Sequence, residues 1–206
     1  LISKSCVLID EDSSADNLGK KNEWTTNSAG RKYNINYGYG LLDLYNLLTN
    51  ATSEDFTFLP DEKEWIKNTK TNLFTGGLTL GIVPTKLDFD LSDGNTTEDD
   101  IVETVLIILT TGGNSDFQLF QLNIEIQSPN TENKISCYNS DSSSNSTYSS
   151  DSFDNTPILV ESFRGESVVN NENSIWSVYI SDTKPESEIK LTDIKLQING
   201  HRVNSI

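Results

Sequence analysis

Alternation of apolar and polar residues in the second half of the sequence constrains its fold more than any other feature. From about Leu78 onward, apolar residues recur at alternate positions in short segments that turn residues separate. Successive side chains of a β-strand point to opposite faces of a sheet, so this period predicts strands with one buried face. The predicted strands are Glu103–Thr110, Phe117–Gln127, Lys134–Tyr138, Ile158–Val160, Ile175–Ile180 and Ile189–Ile198. Strands at this spacing, without helical periods between them, predict a β-sandwich of about 130 residues.

The alternation also predicts details within individual strands. It slips by one position near Phe120 and again at Thr192-Asp193, and a slip of this kind indicates a β-bulge. Trp176 keeps phase with Val178 and Ile180 and is therefore predicted to lie in the core of the sandwich.

Two polar segments are predicted to lie outside the regular structure. Residues 139–155 consist almost entirely of Ser, Asn, Asp and Thr, which bury too little apolar surface to offset the entropy of ordering. We predict a mobile surface loop there, inserted in the sandwich. Residues 50–70 are polar and acidic and carry Pro60 and Trp65, which predicts a linker that packs at one or two points.

Residues 37–48 have a different period. Their apolar residues recur at i, i+3 and i+4, which predicts a short amphipathic or buried helix over 37–48. The leucines fall on more than one side of such a helix, and a helix that is apolar on several sides is buried on several sides. We therefore expect this segment to need a partner surface that residues 1–36 are too polar to provide.

Charge and hydropathy exclude several classes of protein. The 206 residues include 15 Lys and Arg against 31 Asp and Glu, for a net charge of −16. Nucleic acid is therefore not expected as a partner, because phosphate neutralisation needs clustered basic residues. The longest apolar run, Val105–Leu109, is too short to cross a bilayer. The sequence does not begin with Met or with a signal peptide, so we expect a piece of a longer protein.

Few residues of the sequence are candidates for catalysis or metal binding. The one histidine, His201, is near the end of the sequence and is predicted to be a solvated residue of a polar tail, without a nucleophile in a recognisable motif. The acidic segments Asp88–Gly94 and Glu98–Asp100 have some of the spacing of a calcium loop but lack the bidentate Glu. They favour a solvated acidic loop over a metal site.

Two cysteines and three sequons leave alternatives open. Cys6 and Cys137 are either joined in one disulfide or remain two buried thiols. Asn50, Asn95 and Asn145 each begin an Asn-X-Ser/Thr triplet in a polar stretch and are candidate glycosylation sites.

Two blocks near the start of the sequence resemble a known family. Trp24–Tyr33 reads W-T-T-N-S-A-G-R-K-Y, and Tyr37–Asp43 reads Y-G-Y-G-L-L-D. This resembles the end of the subtilisin-like catalytic domain in proprotein convertases of the kexin and furin type, where W-x-x-N-x-x-G-x-K/R precedes Y-G-Y/F-G-L-L/I-D. The resemblance implies structural or domain-interface roles for a set of residues in both domains: Trp24, Tyr37, Gly38, Tyr39, Gly40, Leu41, Asp43 and Trp176.

The remainder resembles the P domain, or Homo B domain, of the same family. The hairpin at 126–131 is similar to L-x-S-P-x-G-T, residues 163–166 and 175–178 to W-G-E … G-x-W-x-L-x-V, and 191–200 to L-x-x-W-x-L-x-L-x-G. This sequence departs from the pattern where Gly is missing from the hairpin, where Arg164 stands for an aromatic residue, and where Ile194 stands for Trp. The resemblance covers nearly the whole chain.

The resemblance implies a mainly β chain with two parts. Residues 1–54 would be the C-terminal remnant of an α/β subtilisin-like catalytic domain with its terminal helix. Residues 55–206 would be a jelly-roll-like β-sandwich, the P domain, with the Ser-rich insertion at 139–155. The family's triad motifs, D-x-G, H-G-T and G-T-S-A, precede this helix, so no catalytic residue is assigned and the chain alone lacks a triad.

The parent protein implied in this way is a kexin-like serine endopeptidase. It would process secretory precursors after paired basic residues, in the secretory pathway, either at the late Golgi membrane or secreted. This piece would stabilise and regulate the catalytic domain, its partner in the same parent chain. No cofactor is assigned to this chain, whereas calcium is expected for the parent enzyme.

Two alternatives remain open. The first is a degenerate convertase-like protein without catalytic activity. The second is a non-catalytic secreted β-sandwich that binds other molecules, such as glycans, and a glycan site would need exposed aromatic residues on one face of the sandwich.

Overall fold

The computed structural model describes residues 2–9, 24–34, 37–52, 64–92, 96–111, 122–139, 157–183 and 190–202. The chain divides into two compact units, Leu1–Glu64 and Trp65–Ile206. The predicted domain boundary at 54/55 lies outside the described residues and stays a prediction.

The first unit contains short elements. They are a 3₁₀ helix at Ile2–Lys4, strands β1 (Cys6–Val7), β2 (Thr25–Thr26), β3 (Lys32–Tyr33) and β4 (Leu41–Leu42), and helix α1 (Leu44–Thr52). β1 pairs antiparallel with β4, and β2 pairs antiparallel with β3. No helix within the described ranges is long and apolar enough to cross a membrane.

The helix predicted over 37–48 is wrong in its first half. The backbone of Leu41 and Leu42 pairs with β1 as strand β4. The helix begins only after Asp43, whose Oδ1 accepts a hydrogen bond from the Asn46 backbone N–H at 3.1 Å. That bond is an N-cap and satisfies one of the amides that the first helical turn leaves without a helical partner.

Within its described residues, the second unit holds eight strands. They are β5 (Glu64–Thr79), β6 (Thr85–Asp90), β7 (Asp100–Thr111), β8 (Leu122–Gln127), β9 (Ile135–Asn139), β10 (Pro157–Val160), β11 (Ile175–Asp182) and β12 (Lys190–Arg202). One sheet has the order β10-β7-β12-β5 and the other the order β6-β11-β8-β9. β7 is antiparallel to both of its neighbours, and so are β11 and β8 to theirs.

Buried side chains from both sheets form one core, which confirms a mainly β chain with a β-sandwich. Every second residue of β8, from Leu122 to Ile126, is fully buried, and the same alternation runs along β7 and β12. Trp176 is fully buried, as predicted. Its Nε1 donates to the Val168 carbonyl oxygen at 2.8 Å, and its ring lies edge-on to Phe163 with centroids 5.0 Å apart.

The predicted linker at 50–70 is wrong at both ends, because α1 continues to Thr52 and β5 begins at Glu64. Among the described strands, β5 lies at the edge of its sheet and pairs with β12 alone. Its composition is polar because one of its faces is turned to solvent. Lys67 and Thr69 are exposed, while Ile66 and Phe74 pack against the core.

One of the two predicted bulges is confirmed. The pairing of β12 with β7 shifts register between Leu191 and Asp193, where the sequence alternation slips. The slip near Phe120 lies outside the described residues. The same holds for the Ser-rich segment beyond Asn139, the last residue of β9.

The prediction of a solvated His201 is wrong. His201 is buried in β12, and its Nδ1 lies 3.0 Å from Oε1 of Glu103 on β7. The sheet extends this far because the Arg202 guanidinium binds Asp100 with two bonds, Nε to Oδ1 at 2.7 Å and a terminal nitrogen to Oδ2 at 3.0 Å. A polar end of the sequence is thereby part of the central ladder.

The predicted solvated acidic loop is correct only in part. Asp88 and Asp90 lie on the exposed face of β6. Desolvation opposes ionisation of Asp88, but hydrogen bonds from Ser177 and Lys86 outweigh it and hold its pKa below the usual range. Hydrogen bonds from Ser174 and Ser92 lower the pKa of Asp90 in the same direction. Asp100, by contrast, is fully buried and paired with Arg202.

Removing the partner of this buried carboxylate should destabilise the sandwich. Arg202→Ala leaves Asp100 with the Thr97 backbone N–H, at 2.9 Å, as its remaining donor. We expect the free energy of unfolding to fall by about 3 kcal/mol, because a buried charge that loses its partner is left uncompensated.

Urea unfolding of the full chain measures this change. The control is Lys195→Ala on the same strand, since Lys195 forms no ion pair within the described residues. It should change the free energy by no more than about 0.5 kcal/mol. Equal losses in both variants would contradict the prediction.

Candidate functional site

The aromatic residues of the convertase-like blocks pack against each other in the first unit. The rings of Trp24 and Tyr37 are nearly parallel, with centroids 6.4 Å apart, and Trp24 Nε1 donates to the Ile9 carbonyl oxygen at 3.2 Å. Tyr33 meets Tyr39 edge-on at 5.3 Å. The two blocks, which are separate in sequence, are therefore in contact in the structure.

Two tight turns explain the glycines and asparagines at this spacing. Asn27 is buried and its Oδ1 accepts the Arg31 backbone N–H at 2.9 Å, across a turn where Gly30 has φ +72°. In the second turn the backbones of Asn34 and Gly38 exchange two hydrogen bonds, at 2.8 and 2.7 Å. A side-chain amide that accepts a nearby backbone N–H stabilises such turns.

Gly40 is required by close packing. Its φ is +102°, and a Cβ there would overlap the carbonyl oxygen of Val7 on the neighbouring strand. The next residues form β4, and the Asp43 backbone N–H donates to Ser5 O at 3.1 Å. Gly40 thus allows the chain to pass directly from the turn into the β1–β4 pair.

An apolar surface follows directly on this pair. Leu41 and Leu44 are 60% and 63% exposed, Tyr45 is 77% exposed and Leu48 is 60% exposed. These four residues are called the leucine surface below. Leu47, on another side of α1, is half-buried. Adjacent large apolar residues at this exposure are typical of a surface that another protein surface covers.

The P-domain-like motifs of the second unit meet at one end of the sandwich. The Ser128 hydroxyl donates to Oε2 of Glu166 at 2.7 Å, and both residues are buried. The Asn130 side-chain amide donates to Ser167 O at 2.5 Å. The turn after β8 is thereby held against the loop before β11. These contacts are structural, and Trp176, being fully buried, offers no face to a glycan.

Beside this turn lies a cleft of about 440 Å³. Its walls are the turn at 127–132, the loop at 170–175, and Lys86 and Ser177 on the sheet. Sequence reasoning missed this cleft, because the two walls lie about 40 residues apart in sequence and neither has a periodic pattern.

The remaining sequence candidates are placed as follows. The Asn50 side-chain amide nitrogen, the atom that would carry a glycan, donates to Ser5 Oγ at 2.9 Å. Asn95 and Asn145 lie outside the described residues. Cys6 and Cys137 do not form a disulfide. Burial raises the pKa of the Cys137 thiol far above its usual range. Within the described ranges, no group of three His, Cys, Asp or Glu residues is placed to hold a metal ion.

Comparison with known proteins identifies a shared fold. No protein-family profile and no curated protein sequence matches the chain. The serine protease of Aeromonas sobria in complex with a chaperone matches with a TM-score of 0.67 and 20% identity, over 98% of this chain and 39% of the protease. The same protease crystallised without the chaperone matches with a TM-score of 0.66 and 19% identity, over 97% of this chain and 39% of the protease. The chain thus spans about two fifths of the length of a serine protease whose fold it shares.

Two glycines provide a matched test of the close packing at β1–β4. Gly38→Ala introduces a Cβ into open space at φ +59°, and we expect it to destabilise the first unit by about 1 kcal/mol from backbone strain alone. Gly40→Ala adds the overlap with the Val7 carbonyl, and we expect a loss of about 3 kcal/mol.

Hydrogen exchange of the full chain measures both changes. Gly40→Ala should remove protection at β1 and β4, and Gly38→Ala should only reduce it. Similar exchange in the two variants would show that the β1–β4 pair does not depend on close approach at Gly40.

Proposed function

We propose that this chain is the C-terminal part of a subtilisin-related serine protease, in which the sandwich is an accessory domain that stabilises and regulates the catalytic domain. One observation carries the proposal: nearly the whole chain shares its fold with part of a serine protease about two and a half times its matched length. About three fifths of that protease has no counterpart here, and the proposed catalytic domain would correspond to that part.

The finer proposal is a protease of the kexin type. The convertase-like blocks support it, because two of their residues have structural roles in the first unit: Gly40 allows the β1–β4 pair and Asp43 caps α1. The parent would cut secretory precursors after paired basic residues, in the late Golgi or outside the cell, and would depend on calcium.

We propose that the leucine surface is covered by the rest of the catalytic domain. Leu44 and Leu48 lie one helical turn apart on α1, and Leu41 precedes them on β4. Neighbours at this spacing form a continuous apolar stripe. The polar linker that would join the two domains leaves the leucines on the catalytic side of the boundary.

The state of association in solution tests this role. The full 206 residues should self-associate through the leucine surface, whereas residues 55–206 alone should be monomeric. In the full chain, Leu44→Ser with Leu48→Ser should restore the monomer. The control is Leu73→Ser on β5, which is 78% exposed in the second unit and should leave the association unchanged.

Analytical ultracentrifugation separates these outcomes. Equal monodispersity of the full chain and of residues 55–206, with slow exchange of the amides at 41–48, would contradict a severed interface. It would favour the degenerate, self-contained alternative.

The protease activity is tested with the full-length gene. Its product should cleave a fluorogenic peptide that ends in Lys-Arg and should be inhibited by serine-directed reagents, whereas these 206 residues alone should not cleave it. An upstream sequence without Gly-Thr-Ser-Ala would overturn the proposal.

A further inference from the structure

The walls of the cleft beside Ser128 are rigidly built. The Asn170 side-chain amide donates to Pro129 O at 2.7 Å and so ties one wall to the other. Asn170 Oδ1 accepts the backbone N–H groups of Glu172 and Asn173, at 2.9 and 2.7 Å, and Asn173 Oδ1 accepts that of Ile175 at 2.9 Å. These bonds fix the cleft before any ligand arrives, which lowers the entropy cost of binding.

The groups that the walls leave uncommitted are mainly hydrogen-bond acceptors. Glu132 on one wall and Glu172 on the other line the cleft, and within the described residues neither forms an ion pair or a side-chain hydrogen bond. The side-chain oxygen of Asn130 also accepts no hydrogen bond within the described residues, while its amide nitrogen donates to Ser167 O. The cation at the cleft, Lys86, is paired with Asp88 at 3.0 Å.

We propose that this cleft binds the cationic side chain of a polypeptide, an arginine or a lysine. A guanidinium or ammonium group carries only donors, and the cleft is lined by one glutamate from each wall, Glu132 and Glu172, and by Asn130. Ile175, 40% exposed at the cleft, provides an apolar contact for the aliphatic part of such a side chain. The net charge of −16 raises the local concentration of basic peptides. The inference goes beyond the proposed function and does not depend on it.

A titration of the isotope-labelled full chain tests the site. The probes are dipeptides with blocked termini that carry an arginine, a lysine or a citrulline side chain. Citrulline is a neutral isostere of arginine. The arginine or lysine dipeptide should shift the resonances of residues 128–133 and 170–175 saturably below about 10 mM, and citrulline should not. The two cationic arms show which side chain the cleft prefers.

Variants that remove charge distinguish binding in the cleft from a general attraction of cations to the negatively charged protein. Glu132→Gln with Glu172→Gln should weaken binding about tenfold or more, because it removes both carboxylates that line the cleft. The control, Glu98→Gln with Asp99→Asn, removes the same charge from two exposed residues that do not line the cleft, and should weaken binding less than about twofold.

Each result decides the inference. Selective loss in the cleft variant supports it. No saturable shift at the two walls, equal binding of citrulline, or equal loss in the control variant would overturn it. Unchanged thermal midpoints show that the variants are folded. A negative titration leaves the protease proposal intact, since that is tested by cleavage.

Discussion

The antiparallel ladder between β7 and β12 is the interaction on which the rest of the sandwich depends. It runs from Thr111 opposite Leu191 to Asp100 opposite Arg202 and lies at the centre of its sheet. The start of β7 also binds the loop at 163–168 through backbone hydrogen bonds at Asp100 and Val102. That loop carries Glu166, which holds the turn after β8, and the turn forms one wall of the cleft. The register of β7 against β12 therefore positions the loop at 163–168, the loop positions the turn after β8, and the turn forms one wall of the cleft.

The sequence could predict those parts of the fold in which one face of a strand is buried. β7, β8 and β12 have that property, and so the period of two and the bulge at Thr192-Asp193 were readable. β11 is buried on both faces, but the phase of Trp176 with Val178 and Ile180 still placed it in the core. β5 was missed because an edge strand is polar on its solvent face. β4 was missed because two leucines after a glycine fit a helix as well as a strand, and only the pairing with β1 decides between them.

Contacts between residues far apart in sequence could not be predicted. Arg202 and Asp100 are 102 residues apart, and no local pattern marks either as buried. The same separation hid the pairing of His201 with Glu103. Of the candidate site, the convertase-like motifs implied structural roles for Gly40 and Asp43 and a hairpin at 126–131. They gave no sign that Glu132 and Glu172 line the same cleft, whereas Asp100 and Glu166 are buried and hydrogen-bonded inside the protein.

The packing of the first unit does not explain why its leucines are exposed. Its turns are closed by their own hydrogen bonds, Gly40 fits against Val7, and Asp43 caps α1. A helix of nine residues is too short to be stable in water by itself, so α1 depends on packing for most of its stability. Yet Leu44 and Leu48, which could supply that packing, face outward. The local structure of the first unit therefore exposes these side chains, and the surface that buries them lies outside the described residues of that unit.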